Sequence, residues 1–259
     1  MTSLRVFFLG NGWLGWQALK WLTSQQDVSI AGVAIHPPGR RKHGDDIRGV
    51  ASQASSRVFD ASCLRDSEVL GRIEDLNAAI AVSVLCGYIL KSPFLDLFPS
   101  GCVNLHTSLL PYNRGAHPNV WSLVEGTPAG VSLHRIDSGI DTGAILAQRR
   151  VDVEPVDTAL SLYRKLEGAG FDLFRDSWDD LVAGRIDAAP QSMETGTSHR
   201  VKDLAGLDLI DLDSPTTARQ VINQLRSRTF PPHPSAHFVE SGRKVYVTVN
   251  LEYAGEVKE

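Results

Sequence analysis

Residues 4–15 read LRVFFLGNGWLG, and this stretch decides the fold. Leu4–Leu9 is a mostly apolar run, as expected for a strand that is covered on both faces. Gly10-Asn11-Gly12 forms a glycine turn directly after it, and helical spacing begins at Trp13. The stretch therefore predicts a strand, a tight turn and a helix, in that order.

The same alternation continues through the first hundred residues. Further apolar strands are predicted at Val28–Ile35, Arg57–Phe59 and Ala78–Leu85, separated by helical segments at Asp46–Ala54 and Asp66–Leu76. Cys102–Leu105, Gly130–Ile136 and Ile145–Val153 follow as strands, and Thr158–Ala183 follows as one long helix. This order predicts an α/β protein with a Rossmann-like, mostly parallel sheet and helices on both faces.

The composition changes after Gly184. Residues 184–200 are polar and predict a loop, and a helix is expected from Ser214-Pro215 to about Ser227. Two strands, Ala236–Glu240 and Lys244–Glu252, complete a predicted β-hairpin around Ser241-Gly242. We expect a catalytic domain over residues 1–190 and a small C-terminal α+β subdomain over residues 191–259.

Composition narrows the class of protein. Hydrophobic residues make up 42% and charged residues 22% of 259 residues, which excludes a disordered or fibrous chain. The formal net charge of -4 gives no indication of a polyanion binder, and Ala78–Leu90 is too short to span a bilayer. Cys63, Cys86 and Cys102 fit neither a disulfide framework nor a metal site, so we expect reduced thiols in a cytoplasmic protein.

The glycine turn carries the first chemical signal. Gly10-Asn11-Gly12-Trp13-Leu14-Gly15 matches the GxGxxG pattern, whose backbone N–H groups can approach a phosphate at a helix N-terminus. A dinucleotide site also needs an acidic residue at the end of the second strand, where this chain has Ile35-His36-Pro37-Pro38. NAD binding is therefore disfavoured, and the glycines can equally serve close packing of the helix on the strand.

Two further segments carry candidate catalytic groups. In Asn104-Leu105-His106, at the end of a strand, the alternation of side chains puts Asn104 and His106 on one side. An asparagine amide can donate to a developing oxyanion, and a histidine can carry a proton. Asp141, in a glycine-rich loop between strands, could orient a charged histidine, although such a loop is also typical of a simple turn with side-chain caps.

Together these segments resemble the folate-dependent formyltransferases. The resemblance rests on fixed spacings among the segments Asn104–Pro111, Arg114-Gly115, Pro118, Trp121, Gly130-Val131, Leu133-His134 and Asp141–Gly143. It implies transfer of the formyl group of N10-formyltetrahydrofolate to an amine, with no metal. Asn104 would hold the formyl oxygen as an oxyanion, His106 would stabilise it and take part in proton transfer, and Asp141 would keep His106 charged and oriented.

The resemblance also implies where the cosubstrate binds. The folate pocket would be formed by the segment before the Asn104 strand and by the loop that contains Asp141. Its expected residues are Gly87, Tyr88, Ile89, Leu90, Ile136, Asp137, Gly139 and Ile140.

The tail distinguishes among acceptor amines. Methionyl-tRNA formyltransferases resembling this core carry a larger C-terminal barrel and a basic surface, whereas this tail is short and the net charge is negative. Members of the purine pathway would lack the tail. It is similar to that of the nucleotide-sugar N-formyltransferases, so we expect a dTDP-linked 3- or 4-amino-dideoxyhexose, or a sugar on another nucleotide, as acceptor.

Candidate contacts to that substrate lie at the glycine turn and in the tail: Gly10, Asn11, Gly12, His199, Arg200, Lys202, Arg228 and Phe230. The cations suit a pyrophosphate and Phe230 suits a pyrimidine ring, but the same residues could be solvated or pack the tail. The terminal hairpin offers an edge for a homodimer, and no nucleic acid or membrane partner is expected. The alternatives are a glycinamide ribonucleotide formyltransferase and a non-catalytic folate or nucleotide-sugar binding protein.

Overall fold

The computed structural model describes residues 3–192 and 194–255. The chain forms two compact units, and each is built from several separate segments of the sequence. The first unit comprises residues 1–106, 131–149 and 167–191, and the second comprises residues 107–130, 150–166 and 192–259. The division into domains at residue 190 stays a prediction.

The first half of the chain alternates strands and helices. In order they are β1 (Leu4–Gly10), α1 (Gly12–Leu22), β2 (Val28–Ile35), α2 (Gly44–Gln53), β3 (Arg57–Asp60), α3 (Ser67–Glu74), β4 (Ile80–Val84), α4 (Ser92–Leu95) and β5 (Cys102–His106). The remaining elements are β6 (Arg114–Gly115), α5 (Pro118–Glu125), β7 (Ala129–Arg135), β8 (Ile145–Val151), α6 (Ala159–Val182), β9 (Ser198–His199), α7 (Ala218–Ser227), β10 (His237–Glu240) and β11 (Arg243–Tyr246).

Seven strands form the central sheet, in the order β3-β2-β1-β4-β5-β7-β8. The pairs from β3 to β5 are parallel, and β7 then runs antiparallel to β5. Parallel neighbours need a helical crossover, which the alternating order of strands and helices supplies. The prediction of a Rossmann-like, mostly parallel sheet is confirmed.

Helices cover both faces of this sheet. On one face, Phe7 and Leu9 belong to a buried cluster with Ile73 of α3 and Phe94 of α4. On the other face, α6 packs over Leu105 of β5, and a Cβ at Gly170 would lie 3.1 Å from the Leu14 side chain of α1, tighter than an ordinary contact. Trp21 of α1 stacks edge-on against α6, at the aromatic ring of Phe174 and that of Trp178.

The second unit holds the tail and the segments against which it packs. The strands β6 and β9 form a short parallel pairing, and the Arg114 N–H donates to the carbonyl of Thr197, just before β9, at 3.0 Å. The guanidinium of Arg226 in α7 donates to the carbonyl oxygens of Glu154 and Pro155. These hydrogen bonds join the tail to segments that are distant in sequence within the second unit.

Two predicted boundaries in the tail were wrong. The helix expected from Ser214-Pro215 begins only at Ala218, because Thr217 and Gln220 form a reciprocal capping box that satisfies its first N–H groups. The last strand ends at Tyr246 instead of Glu252, since its partner β10 begins at His237, directly opposite. Residues 201–207 form a 3₁₀ helix that the sequence did not indicate. Within the described residues, no helix combines the length and the apolarity needed to cross a membrane.

Candidate active site

The candidate site is built on the antiparallel pair β5–β7. Asn104 lies opposite His134, and His106 lies opposite Ser132. Because directly opposed residues project from the same face of a sheet, all four side chains share one face. This is the face on which Phe7 and Leu9 lie, since the parallel register aligns Leu9 with Ser83 and Ser83 with Asn104.

Asp141 brings a carboxylate to the same place. Its Oδ2 lies 3.6 Å from His106 Nε2, and its Oδ1 lies 3.5 Å from His134 Nε2. Asn104 Nδ2 donates to Asp141 Oδ1 at 3.4 Å. The structure therefore brings the three predicted catalytic residues together: Asn104 and His106 lie beside the carboxylate of Asp141, whose side chain is only 16% exposed.

His134 is a fourth polar member of this cluster, and the sequence analysis gave it no role. Its side chain is 2% exposed, and its Nδ1 lies 2.7 Å from the Arg135 carbonyl oxygen, which can only accept. In its neutral form the imidazole therefore carries its proton on Nδ1 and keeps a lone pair on Nε2. Asn104 Nδ2 donates to that lone pair at 3.1 Å. The alternation of side chains along β7 was visible in the sequence, but its register against β5 was not.

The loop that carries Asp141 is closed by its own hydrogen bonds. Asp137 Oδ1 accepts from the Gly139 N–H at 3.0 Å and from the Thr142 hydroxyl at 2.6 Å. At the base of the loop, the Arg135 N–H donates to the Ala144 carbonyl. Asp137, which was predicted to bind folate, thus has a structural task in this loop.

The segment predicted to bind folate before β5 has one exposed apolar side chain. Ile89 is 46% exposed, whereas Leu90 is buried in the core cluster. The Gly87 N–H donates to His36 Nε2, and the Tyr88 ring contacts both the His36 ring and the Arg40 guanidinium. Burial and the neighbouring Arg40 charge lower the pKa of His36, against the hydrogen bond with the Arg40 backbone. A neutral His36 can accept the Gly87 N–H.

The loop that contains Asp141, the other part of the predicted folate pocket, combines one packed and one exposed isoleucine. Ile136 packs against the same apolar cluster as Tyr88, while Ile140 is 47% exposed. Both segments therefore rise from one cluster, and each presents an isoleucine to solvent. The assignment of Gly87–Leu90 and Ile136–Ile140 to folate stays a prediction.

The glycine turn is already occupied by protein groups. The Asn11 N–H donates to the Val84 carbonyl at 3.2 Å, and the Gly12 N–H donates to the Lys42 carbonyl at 3.0 Å. The Asn11 side-chain oxygen accepts from the Lys42 N–H at 2.7 Å, and Asn11 Nδ2 lies 3.2 Å from His36 Nδ1. The turn ties β1 to the segment after β2, and the role of Gly10, Asn11 and Gly12 in substrate binding stays a prediction.

The predicted tail residues fall into two groups. Arg200 and Lys202 are exposed, and the Arg200 backbone N–H is taken by Asp203. His199 stacks on Trp121 with ring centroids 4.0 Å apart, and its Nε2 lies 3.2 Å from Glu125 Oε1. Arg200 and Lys202 are thus the more accessible cations, whereas His199 is held within the second unit.

Arg228 and Phe230 are also engaged by neighbours. The Arg228 guanidinium pairs with Asp208, and its Nε donates to Asp208 Oδ1 at 2.7 Å. Phe230 packs edge-on against Tyr163 and is tilted on His233. These contacts fit the packing alternative for both residues, and their binding roles stay predictions.

The two buried cysteines are poorly suited to nucleophilic chemistry. Burial raises the pKa of Cys86 to about 11 and that of Cys102 to about 12, so neither forms the nucleophilic thiolate at neutral pH. Cys63 is exposed, and all three thiols are free. Over residues 3–192 and 194–255, no group of three or more His, Cys, Asp or Glu side chains could hold a metal ion.

Comparison with known proteins identifies the family. The family model for formyl transferases matches residues 5–176, which is more than half of the chain. A second model, the N-formyltransferase dimerization C-terminal domain, matches residues 203–253. The chain therefore belongs to the formyl transferase family.

Individual relatives point to different acceptors. Methionyl-tRNA formyltransferase of Thermodesulfovibrio yellowstonii is 31% identical over 256 residues, covering 96% of this chain and 82% of the relative. A Mycobacterium tuberculosis structure provisionally described as a sugar N-formyltransferase matches with a TM-score of 0.81 and 26% identity, over 98% of this chain and 100% of that one. The formyltransferase PseJ of Anoxybacillus kamchatkensis matches with a TM-score of 0.55 and 28% identity, over 78% and 88%.

Proposed function

We propose that this enzyme transfers the formyl group of N10-formyltetrahydrofolate to the primary amine of a nucleotide-linked amino-dideoxy sugar. The observation that carries the acceptor class is the match to the Mycobacterium tuberculosis structure, which extends over 98% of this chain and all of the other, tail included. The PseJ structure contains a UDP-linked 4-formamido sugar together with tetrahydrofolate. Both matches support a sugar acceptor, and the PseJ structure also supports a folate donor.

The chemistry needs only the cluster on β5, β7 and the Asp141 loop. The acceptor amine attacks the formyl carbon, the carbonyl π electrons move to oxygen, and a tetrahedral oxyanion forms. Asn104 and His106 are the donors that stabilise the oxyanion. The intermediate collapses as the bond to N10 of the folate breaks, the amine loses a proton, and N10 gains one. The Asp141 carboxylate stabilises the positive charge on His106 while the proton moves.

The cosubstrate requires an apolar surface for a flat ring beside the reacting carbon. Ile89 and Ile140 supply exposed apolar groups on the two segments that border the core cluster of the first unit. The second segment follows β7, which carries part of the site and ends at Arg135. The first follows β4, which ends at Val84 and pairs with β5. We assign the folate to these segments and the formyl group to the space before Asn104 and His106.

A second acceptor has a specific observation in its favour. The 31% identity to a methionyl-tRNA formyltransferase extends over 96% of this chain, so methionyl-tRNA is a candidate. Its phosphates would need clustered cations, yet residues 191–259 contain eight Lys and Arg against nine Asp and Glu. The charge balance of the tail therefore favours the smaller acceptor.

A panel of acceptors decides between these functions. The protein is incubated with N10-formyltetrahydrofolate and, separately, dTDP-3-amino- and dTDP-4-amino-dideoxyhexoses, their UDP counterparts, glycinamide ribonucleotide and methionyl-tRNA. We expect tetrahydrofolate release and a formylated product with a nucleotide amino sugar only. Turnover with methionyl-tRNA or glycinamide ribonucleotide alone would replace the proposed acceptor, and binding of folate and sugar without turnover would indicate a binding protein.

Two histidine variants test the site itself. His106→Asn should lower kcat on the order of 100- to 1000-fold, the loss typical of one oxyanion donor. His43→Asn is the matched control, because His43 lies on the surface beside Asp46, away from the β5–β7 pair. Equal activity of the two variants would remove His106 from the mechanism.

The proposed enzyme acts as a homodimer. The family model matched by residues 203–253 is a dimerization domain, and several large apolar side chains there are exposed: Leu209, Leu212, Ile222, Val239, Val245, Tyr246 and Tyr253. Exposed apolar side chains in a domain of this family support burial of part of this surface against a second subunit.

A further inference from the structure

Gln191 holds the backbone of the Asp141 loop with a single amide group. Its Nε2 donates to the Asp141 carbonyl oxygen at 2.9 Å and to the Gly143 carbonyl oxygen at 2.7 Å. A primary amide has two N–H donors on one nitrogen, so one side chain satisfies both carbonyls. From this geometry we infer that Gln191 is a positioning residue for the Asp141 carboxylate, an inference that rests on the proposed formyl transfer.

The backbone at Asp141 needs such support. Its φ is +53°, in the left-handed region that a residue with a Cβ enters at a cost of about 1–2 kcal/mol. An aspartate tolerates this conformation better than most residues, but it does not hold it alone. The two hydrogen bonds from Gln191 hold the peptide units that precede Thr142 and follow Gly143, and they are lost if Asp141 relaxes to a negative φ.

The loop that contains Asp141 and the segment that contains Gln191 are each fixed by contacts of their own. On the loop side, a Cβ at Gly143 would lie 1.9 Å from the Arg135 carbonyl oxygen, so the loop is pressed against the end of β7. On the Gln191 side, Ala189 and Ile145 exchange two backbone hydrogen bonds of 2.8 Å. Because this bridge lies two residues before Gln191, it sets where the amide can reach.

The consequence for the reaction follows from the carboxylate's neighbours. Asp141 lies within 3.6 Å of polar atoms on Asn104, His106 and His134. Rotation of its backbone would carry the carboxylate away from all three side chains together. A misplacement of about 1 Å at a reacting centre can reduce the rate about 100-fold.

The first test compares turnover among Gln191 variants. Gln191→Ala removes the amide, and Gln191→Asn keeps its chemistry but shortens its reach. We expect kcat to fall about 10- to 100-fold in both, and further in Gln191→Glu, which turns a carboxylate oxygen toward the two carbonyls. Gln26→Glu on the exposed surface makes the same change of charge and should leave kcat unchanged. Normal kcat in Gln191→Ala and Gln191→Asn would overturn the inference.

A double-mutant cycle separates positioning from a general structural effect. In an Asp141→Asn background, Gln191→Ala should cause little further loss of kcat, since the carboxylate that it positions is already gone. A further loss as large as in the wild-type background would show that Gln191 acts elsewhere.

A crystal structure of Gln191→Ala provides a readout that is independent of turnover. We expect Asp141 to leave the left-handed region and its carboxylate to move away from His106 Nε2. An unchanged Asp141 conformation would overturn the inference. If the wild-type enzyme releases tetrahydrofolate with none of the acceptors in the panel, the proposed function fails. The crystal structure of the variant still decides whether Gln191 positions Asp141.

Discussion

Asn104 and His134 are cross-strand partners, and Asn104 Nδ2 donates to His134 Nε2 at 3.1 Å. The Arg135 carbonyl fixes the proton of neutral His134 on Nδ1, and the remaining lone pair then determines which end of the Asn104 amide faces β7. One N–H of the amide is held by the histidine. The orientation of the proposed oxyanion donor therefore depends on a buried residue that need not touch substrate.

Replacing His134 should weaken catalysis through Asn104. We expect His134→Ala to lower kcat at least about 10-fold, since the unheld amide can rotate and present its oxygen to the oxyanion. His134→Gln, whose side-chain oxygen can accept the same N–H, should retain more activity. Steady-state kinetics of both variants, repeated in an Asn104→Ala background, check this coupling. Equal losses in the two backgrounds would contradict it.

Asp157 should make the second unit sensitive to acid. The carboxylate is 2% exposed and accepts from Lys165, from the Glu154 N–H and from the Ser161 hydroxyl. Burial alone would raise the pKa of Asp157, but these hydrogen bonds outweigh it and lower the pKa. Because the pKa is lower in the folded protein, ionised Asp157 stabilises the fold at pH values above the unfolded-state pKa of about 4. This stabilisation is lost as the pH falls through the folded-state pKa.

Asp157→Asn should therefore reduce the free energy of unfolding by about 1–3 kcal/mol at neutral pH. The difference from wild type should shrink as the pH falls below about 4, where the unfolded chain takes up the proton. It should be lost once the pH is below the lowered pKa of Asp157 in the folded protein. Urea unfolding at several pH values measures this. Asp152→Asn is the control, because its side chain is 92% exposed. A difference between Asp157→Asn and wild type that does not change with pH would contradict the assignment.

The terminal hairpin should carry part of the dimer interface. Val239 and Tyr246 project from the same face of the β10–β11 pair, and they are 50% and 55% exposed. Glutamate at both positions would bury charge against the partner, so we expect Val239→Glu/Tyr246→Glu to be a monomer. Sedimentation velocity compares it with wild type and with Gln26→Glu, which should remain dimeric. A dimeric double variant would place the interface elsewhere.

Cysteine modification should not affect the reaction. With the pKa of Cys86 raised to about 11 and that of Cys102 to about 12, iodoacetamide at neutral pH should modify only the exposed Cys63. Mass spectrometry of the native protein should show one adduct, with turnover unchanged. A Cys86 adduct that forms together with loss of activity would indicate a thiol in the mechanism.

Most of the sheet was predictable because its strands are apolar runs separated by helical spacing. The same local reasoning put Asn104 and His106 on one side, since strand side chains alternate whatever their neighbours are. His134 and Gln191 could not be found in this way. Their roles depend on the β5–β7 register and on the bridge between Ile145 and Ala189, which are pairings between segments distant in sequence.

In the tail, the boundaries of the helix and of the last strand could not be predicted from the sequence. Thr217 and Gln220 carry the sequence pattern of a capping box, but Ser214-Pro215 offered a competing helix start three residues earlier. The extent of the last strand depended on where its partner begins, at His237. Local preference predicted the helix α7 and the two hairpin strands as such, while contacts elsewhere in the chain set their limits.

The β5–β7 register also limits how this site can change. Asn104 and His106 are two residues apart, and so are their partners His134 and Ser132, so the four groups move as one block of the sheet. Inserting one residue within either strand would turn polar groups into the layer that α6 covers and bring apolar ones to the reacting face. The segment between these strands can lengthen or shorten without that effect, so new specificity is most readily engineered in the connection, with both strands left intact.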